Sequence, residues 1–464
     1  MCEGDIVKIP TGLTGALTSG PGGTVALVVG AGCSIDQPTG LRTAGDYSAM
    51  AYRRLVEAAV IEEGCCDPRD LGALADAVFA ATNSQEALVD ILRPELANAT
   101  PNEGHKIAAA LLAEQIVGLI LTLNFDRAFD SAIATVARGE RIAIVHSVEE
   151  IRGRTRFGVV YLHGDVEASP GKWILRKAQI DAPWEDTWQK HVVVDLAMTP
   201  NVVFAGLGSS TPVISDTVLK VSEALPAGKN IYQVDVGDIA HNPLAQALKI
   251  SAEDYVTVCW TGFMRKVGET VAREFLHKIS ERHPAFCGEN QSLVEDLTMA
   301  LSALPQDILV LGKVWASWFF DKSEYKSFRT TNLDHLVDIV RTIAIALKIA
   351  GADACVMVED GMELRKNGKM LLRVFSCSGA GAAYWAKIEA EMRSRLERFR
   401  RRDSTTPVVY LVTGVDMSQA TSVPETIVPK GASDDLTSSP PDFAYFTPQM
   451  LQADPKSLLG MMRD

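Results

Sequence analysis

Five short stretches of the chain carry groups able to do chemistry, and each follows a run of apolar residues. Gly30-Ala31-Gly32 comes after an uncharged Val- and Leu-rich run over 24–29, with Ser34 close behind. Glycines at such a turn let backbone N–H groups approach a pyrophosphate, and a helix N-terminus behind them favours negative charge. Asn124-Phe-Asp126 follows Leu119-Ile-Leu-Thr-Leu and puts an amide and a carboxylate where open α/β sheets bind ligands. His163-Gly164-Asp165 ends Val159-Val-Tyr-Leu, and Gly206-Leu-Gly208-Ser209-Ser ends Val202-Val-Phe-Ala as a second glycine turn suited to phosphate or ribose. Asp235 ends Ile231-Tyr-Gln-Val and is placed to accept hydrogen bonds from a ribose diol. Each stretch alone has an ordinary structural reading, because strand ends are polar and many strands leave a sheet through glycine without binding anything. Together they point to a nucleotide-binding α/β domain.

To bring these groups together the chain must alternate strands with helices. Strands are expected at 24–29, 119–123, 142–145, 159–162, 202–205 and 231–234. Between the first two lies a Pro- and Gly-containing loop over 37–45, placed to fold over a ligand. A helical insert follows at about 46–98. Asp46 is its expected first N-cap, with a helix to about Val60, then helices over 71–81 and 83–96, the last opened by an Asn83…Glu86 capping box. A further helix after Pro101 buries Ile107, Leu111, Leu112 and Ile116 and is expected to stop at Gly118.

Composition narrows the class. A chain of 464 residues, 47% hydrophobic and 22% charged, is an ordinary globular protein with room for two or three domains, and no apolar run is long enough to span a bilayer. Met-Cys-Glu-Gly-Asp at the start carries acids where a secretory signal carries Lys or Arg, so a cytoplasmic protein is expected. The eight cysteines show no Cys-x-x-Cys spacing, which suggests neither zinc nor a disulfide framework but reduced, mostly buried thiols. A net charge of −13 argues against a general nucleic-acid coat.

Gly30-Ala-Gly-x-Ser34, Pro101-Asn102-x-x-His105, Thr122-x-Asn124-x-Asp126, His163-Gly164, Gly206-x-Gly-Ser209 and Gln233-Val-Asp235 resemble, in order, the motifs of sirtuins and their NAD-hydrolysing relatives. The likeness covers about residues 20–260. It implies a Rossmann-like parallel sheet binding NAD, with Gly30, Ala31, Gly32 and Ser34 near the pyrophosphate. Asn124 and Asp126 would lie near the nicotinamide ribose, His163 would be the catalytic histidine, and Gly206, Gly208, Ser209 and Asp235 would serve the adenosine half. Deacetylating sirtuins follow their His-Gly with two Cys-x-x-Cys pairs that hold zinc; here no cysteine occurs between Cys66 and Cys259, so no zinc ribbon is expected. The deacetylase Phe-Arg loop is replaced by Gly40-Leu-Arg42. The insert and the missing zinc site resemble the sirtuin-like NADases of bacterial antiphage defence, which implies cleavage of the nicotinamide–ribose bond with Asn124 positioning water and His163 as base. His105 reads as a structural partner on its helix.

A second domain is expected beyond a helix over 262–282 and a linker at 283–290, giving divisions at 1–262, 263–290 and 291–464. It holds a helix near 291–303, an aromatic stretch Trp315 to Phe320, a helix over 333–350, a strand at 354–358 and a hairpin about Asn367-Gly368. Helix 382–402, with six arginines among 393–402, and a strand at 408–412 complete a smaller C-terminal α/β domain. The element order matches a degenerate restriction-endonuclease-like core, although the catalytic Glu-x-Lys position reads Arg373-Val-Phe-Ser. The arginine-rich helix is a solvated face or a docking surface, and the Ser-, Thr- and Pro-rich tail is expected to pack only near Phe443-Ala-Tyr-Phe.

The leading expectation is an NAD glycohydrolase gated by its C-terminal domain or by homo-oligomerisation, with NAD as substrate and a phage-derived activator or a protein partner. A module that senses NAD or ADP-ribose without turnover, and an effector subunit of an Argonaute or helicase-like ATPase complex, are the alternatives. A membrane partner is not expected.

Overall fold

The computed structural model describes residues 7–19, 22–136, 142–151, 157–182, 184, 187–208, 212–225, 229–287, 306–309, 311–312, 351–352, 354–358, 361–378, 385–413 and 444–446. The chain divides into two compact units, one of residues 1–137 and 141–271, the other of 272–464 with 138–140.

Unit 1 is built on a seven-stranded, all-parallel sheet. Helix α1 (Thr11–Thr18) leads to β1 (Val25–Val29), whose five residues are all buried, as an uncharged Val/Leu run demands. A 3-10 turn over Ala31–Ser34 follows, then the insert helices α2 (Ala44–Glu57), α3 (Leu71–Thr82) and α4 (Glu86–Leu96). Next come α5 (Glu103–Ala113), β2 (Val117–Thr122), α6 (Ala128–Val136), β3 (Ala143–Val145) and β4 (Gly158–Tyr161). The unit continues through α7 (Lys177–Ile180), α8 (Trp188–Met198), β5 (Asn201–Ala205), α9 (Pro212–Ala224) and β6 (Asn230–Asp235). It closes with α10 (Pro243–Ala247), β7 (Tyr255–Thr257) and α11 (Trp260–Cys287), which passes the unit's end at Val271.

The strand order is β3-β4-β2-β1-β5-β6-β7. From β1 the chain builds first toward β2 and β4, then crosses back to β5 on the other side. That reversal makes a crevice at the carboxyl end of β1, the place where such sheets bind ligands. One core packs Val28, Leu121, Val160 and Phe204 from the sheet against Val193, Leu196 and Val218 from α8 and α9. The insert has its own core of Met50, Leu55, Leu74, Val78, Leu88 and Leu92, closed by Trp173 from the segment after His163.

Helix boundaries differ from expectation in four places, the first three for a capping reason. Thr43, not Asp46, caps α2: its hydroxyl accepts the Asp46 N–H at 3.2 Å, and Asp46 sits inside the first turn. Asn83 adopts the left-handed conformation that ends α3 and does not open α4, which starts after Gln85. Gly118 lies inside β2; α5 stops earlier because Gln115 turns left-handed, at φ 58°. Helix α11 runs on to Cys287, beyond the sequence-based stop at 282.

In unit 2, β8 (Ala354–Val358), β9 (Gly361–Lys366) and β10 (Lys369–Ser378) form an antiparallel meander. Asn367 and Gly368, at φ 51° and 77°, make the tight turn that Asn-Gly specifies. Helix α12 (Trp385–Arg400) then crosses to β11 (Val408–Thr413), which runs parallel to β10 and to β12 (Ala444–Phe446). The Tyr410 hydroxyl on β11 donates to the Met392 carbonyl at 2.9 Å and ties helix to sheet. The expected helices near 291–303 and 333–350, the Trp315–Phe320 stretch and the tail from 414 to 443 lie outside the described residues. Among the described residues no helix is long and apolar enough to cross a membrane.

Candidate functional site

The chemistry-bearing stretches meet because the sheet is in register. Tyr161, Thr122, Val29, Ala205 and Val234 pair across five adjacent strands as one row. His163 and Asn124 each stand two residues past that row, on neighbouring strands about 4.8 Å apart. Gly30, Gly206 and Asp235 each stand one residue past it. The outcome is a cavity of about 920 Å³ lined by Gly30, Ala31, Gly32, Ser34, Asn124, Asp126, His163, Gly206, Gly208 and Asp235 together. Ser209 lies outside the described residues.

The two glycine turns hold each other. The Gly32 N–H donates to the Gly206 carbonyl at 2.9 Å, and the Gly30 N–H donates to the Ala205 carbonyl at 3.0 Å. A Cβ on Gly32 would stand 2.6 Å from the Gly206 Cα, and one on Gly206, at φ +64°, would stand 2.6 Å from the Cys33 nitrogen. Part of the glycine requirement is therefore backbone-to-backbone packing. Among the described residues a Cβ on Gly208 would meet nothing within 4 Å, so no such packing is seen there.

Beneath the first turn lies a buried polar network. Asn124 Nδ2 donates to the Gly30 carbonyl at 3.1 Å and to Ser34 Oγ at 3.2 Å, while Ser34 Oγ donates to Asp126 Oδ2 at 3.0 Å. A carbonyl only accepts, so the amide orientation is determined by its partner, and Oδ1 is left as the group available to a ligand. Asp126 Oδ1 accepts the Ala128 N–H at 3.1 Å and so caps α6. With Ser34 also bonded, both carboxylate oxygens serve the protein, and burial raises the Asp126 carboxyl above its usual range. Ser34 and Asp126, expected at the pyrophosphate and the ribose, thus aim Asn124 at the cavity; Phe125 between them stacks on Trp173 with ring centres 4.3 Å apart.

His163 is buried, and its Nε2 has no hydrogen-bond partner among the described residues. Burial pushes the imidazole down to about 4, so it is neutral at physiological pH with a bare nitrogen or an unshared N–H. Gly164, at φ +88°, turns the chain away, and Asp165 shapes the next turn by accepting from the Glu167 N–H at 2.7 Å and from Arg127 at 3.2 Å. On the far side, Asp235 Oδ1 accepts the Gly237 N–H at 3.0 Å and Oδ2 accepts from Asn242 at 3.1 Å.

Two supporting residues received no role from sequence reasoning. Asn102, fully buried, caps α5 by accepting from the His105 N–H at 3.1 Å, and its Nδ2 donates to the Cys33 carbonyl at 2.9 Å and the Asp36 carbonyl at 3.3 Å. It clamps the glycine turn to the helix behind it. Asp36 Oδ2 accepts the Thr261 N–H at 2.9 Å at the start of α11 and joins the cavity wall. The Asn-x-x-His spacing carried the capping signal for Asn102; no local signal marks Asp36, whose partner is 225 residues away.

His105 plays the structural part expected of it. Its Nδ1 donates to Asn102 Oδ1 at 2.8 Å, its ring packs edge-on against Phe129, and burial pushes it down to about 3. The unfolded chain protonates this histidine below about pH 6.5 while the folded one does not, so it draws stability away as pH falls from about 6.5 toward 3. Wild-type protein is expected to lose about 1.4 kcal/mol per pH unit from this group between pH 6 and pH 4. His105→Gln should flatten that slope by one proton in urea titrations; an unchanged slope would show that His105 titrates normally.

Among the described residues, no group of three or more His, Cys, Asp or Glu side chains is placed to hold a metal ion. No curated protein matches the chain in sequence. Among solved structures, a Sir2 homologue in complex with NAD is 14% identical, with 59% of this chain and 97% of that one covered, at a TM-score of 0.36. A mutant Sir2 homologue with ADP-ribose is 16% identical, with 57% and 96% covered, at 0.35. A Sir2 bound to acetylated peptide is 13% identical, with 53% and 92% covered, at 0.31. The SIR2-like domain family matches residues 118–250, a span that begins in β2, passes Asn124, His163, Gly206 and Asp235, and ends after α10.

Proposed function

We propose that unit 1 is an NAD glycohydrolase that cleaves the nicotinamide–ribose bond and releases nicotinamide and ADP-ribose. The observation that carries this reading is the convergence of Asn124 and His163, each two residues past the last paired position of adjacent strands, with two glycine turns on one cavity. Backbone N–H groups and glycine surfaces suit the pyrophosphate, and Asp235 suits a ribose diol.

Breaking the bond from C1′ to the pyridinium nitrogen returns the electron pair to the ring, so nicotinamide leaves neutral and C1′ becomes oxocarbenium-like. The protein then has to support that centre and deliver water to it. Asn124 accepts a hydrogen bond from the water or a ribose hydroxyl through Oδ1, since both of its N–H groups are committed to Gly30 and Ser34. His163, neutral and with no partner at Nε2 among the described residues, accepts the proton. The likeness to zinc-less sirtuin relatives supports placing this activity in antiphage defence, where exhausting the cell's NAD halts an infection.

The direct test is chromatography of NAD incubated with full-length protein, with and without candidate activators. Equimolar nicotinamide and ADP-ribose support the reading; bound but intact NAD supports a sensor. A base held near 4 also makes a pH prediction. The kcat/KM value should stay flat from pH 8 to pH 5, where an ordinary histidine would be only about 3% neutral. A decline with its midpoint near 6.5 would remove His163 as the base in this environment.

A further inference from the structure

The loop between α2 and α3 carries two neighbouring thiols beside the cavity. Cys65 is exposed and Cys66 half-buried, both are free, and their sulfurs lie 3.8 Å apart. The loop is anchored. The Gly64 N–H donates to the Tyr52 hydroxyl at 2.6 Å, the Arg69 N–H donates to Asp67 Oδ1 at 2.9 Å, and the Arg69 guanidinium reaches Asp46 on α2 at 2.8 Å. Asp67, Arg69 and Asp70, directly after the thiols, line the cavity. The dithiol therefore sits at the head of the segment that forms part of the cavity rim.

We infer that Cys65 and Cys66 are a reversible thiol–disulfide modification site, oxidised by a peroxide and reduced by a small dithiol, that alters the cavity rim. In the first step the Cys65 thiolate attacks a peroxide oxygen. A sulfur–oxygen bond forms, the oxygen–oxygen bond breaks, and hydroxide leaves, giving a sulfenic acid. In the second, Cys66 sulfur attacks Cys65 sulfur, and the departing hydroxyl takes the Cys66 proton and leaves as water. The two sulfurs together give up two electrons, and the peroxide is reduced to two waters. Cys65 is the attacker because solvent reaches it; burial, then its thiol neighbour and Asp70 and Asp67, push Cys66 up to about 11 and keep it a thiol until the second step.

Geometry makes the bond labile. Adjacent residues hold their Cα atoms about 3.8 Å apart across a trans peptide, shorter than the roughly 4.4–6.8 Å usual for a disulfide. The eight-membered ring is strained and easily reduced, which suits a switch better than a permanent cross-link. Closing it redirects the chain into Asp67 and disturbs the Arg69–Asp46 clasp.

Trypsin cleaving after Arg54 and Arg69 releases a peptide in which Cys65 and Cys66 are the only cysteines. After peroxide treatment of native full-length protein, that peptide should be lighter by two hydrogen atoms and resist iodoacetamide until dithiothreitol restores both thiols. Cys65→Ser or Cys66→Ser should each abolish the loss. A wild-type peptide that still takes two alkyl groups, or gains oxygen without losing hydrogen, overturns the proposal. The effect on the rim rests on reading the cavity as an NAD site. Oxidised protein should bind ADP-ribose about tenfold more weakly than reduced protein, and Cys65→Ser protein should bind it equally before and after peroxide. Equal affinity of the two wild-type states overturns the coupling. If neither state binds ADP-ribose, the NAD reading fails and the peptide masses still decide the disulfide.

Discussion

Replacing His163 with alanine is expected to lower NAD cleavage by about 10²–10⁴-fold, the range a positioned general base supplies. The fold should survive, because among the described residues the buried Nε2 is unbonded and its removal strands no partner of that nitrogen. Asn124→Ala should lose activity by a comparable factor and also stability, by about 1–2 kcal/mol, since it frees the buried Gly30 carbonyl and Ser34 hydroxyl. Initial rates of nicotinamide release, together with urea midpoints of the same preparations, separate the two effects. His163→Ala protein that keeps more than a tenth of wild-type turnover under activating conditions would refute the assignment.

Gly206→Ala is expected to be the most damaging single-methyl change in the cavity. The position is left-handed at φ +64°, and the added carbon would stand 2.6 Å from the Cys33 nitrogen and 2.9 Å from the Gly32 Cα. These are backbone atoms of the opposite turn, so no side chain can swing aside. Strain and displacement together should cost on the order of 3 kcal/mol and spread the two turns apart. Gly208→Ala, two residues on, meets nothing within 4 Å among the described residues and should stay within about 0.5 kcal/mol of wild type. Urea unfolding and calorimetric ADP-ribose titration of both variants provide the comparison. Equal stabilities would mean that the turns do not pack as described.

That pair also shows where local pattern stops. Gly206-Leu-Gly208 reads from sequence as one glycine turn, with nothing to rank its two glycines. Only the opposing turn, contributed from more than 170 residues earlier, decides that one is required and the other is free.

The sequence by itself determined the parts whose physics is local. Uncharged Val- and Leu-rich runs specify strands buried on both faces, and the glycine or polar residue after each run marks its carboxyl end; every expected strand of unit 1 lies within two residues of its place. Asn367-Gly368 specified its hairpin because few residues accept positive φ twice in succession. Helix starts were less secure, since Thr43 and Asp46 are both good caps and only the backbone path chooses between them. The tertiary structure decided what depends on distant partners. Register placed Asn124 beside His163, Ser34 and Asp126 met across 92 residues to aim the amide, and burial by the insert and sheet cores turned an ordinary histidine into one neutral down to about 4. Desolvation and register are sums over contacts from the whole unit, so no window of sequence carries them.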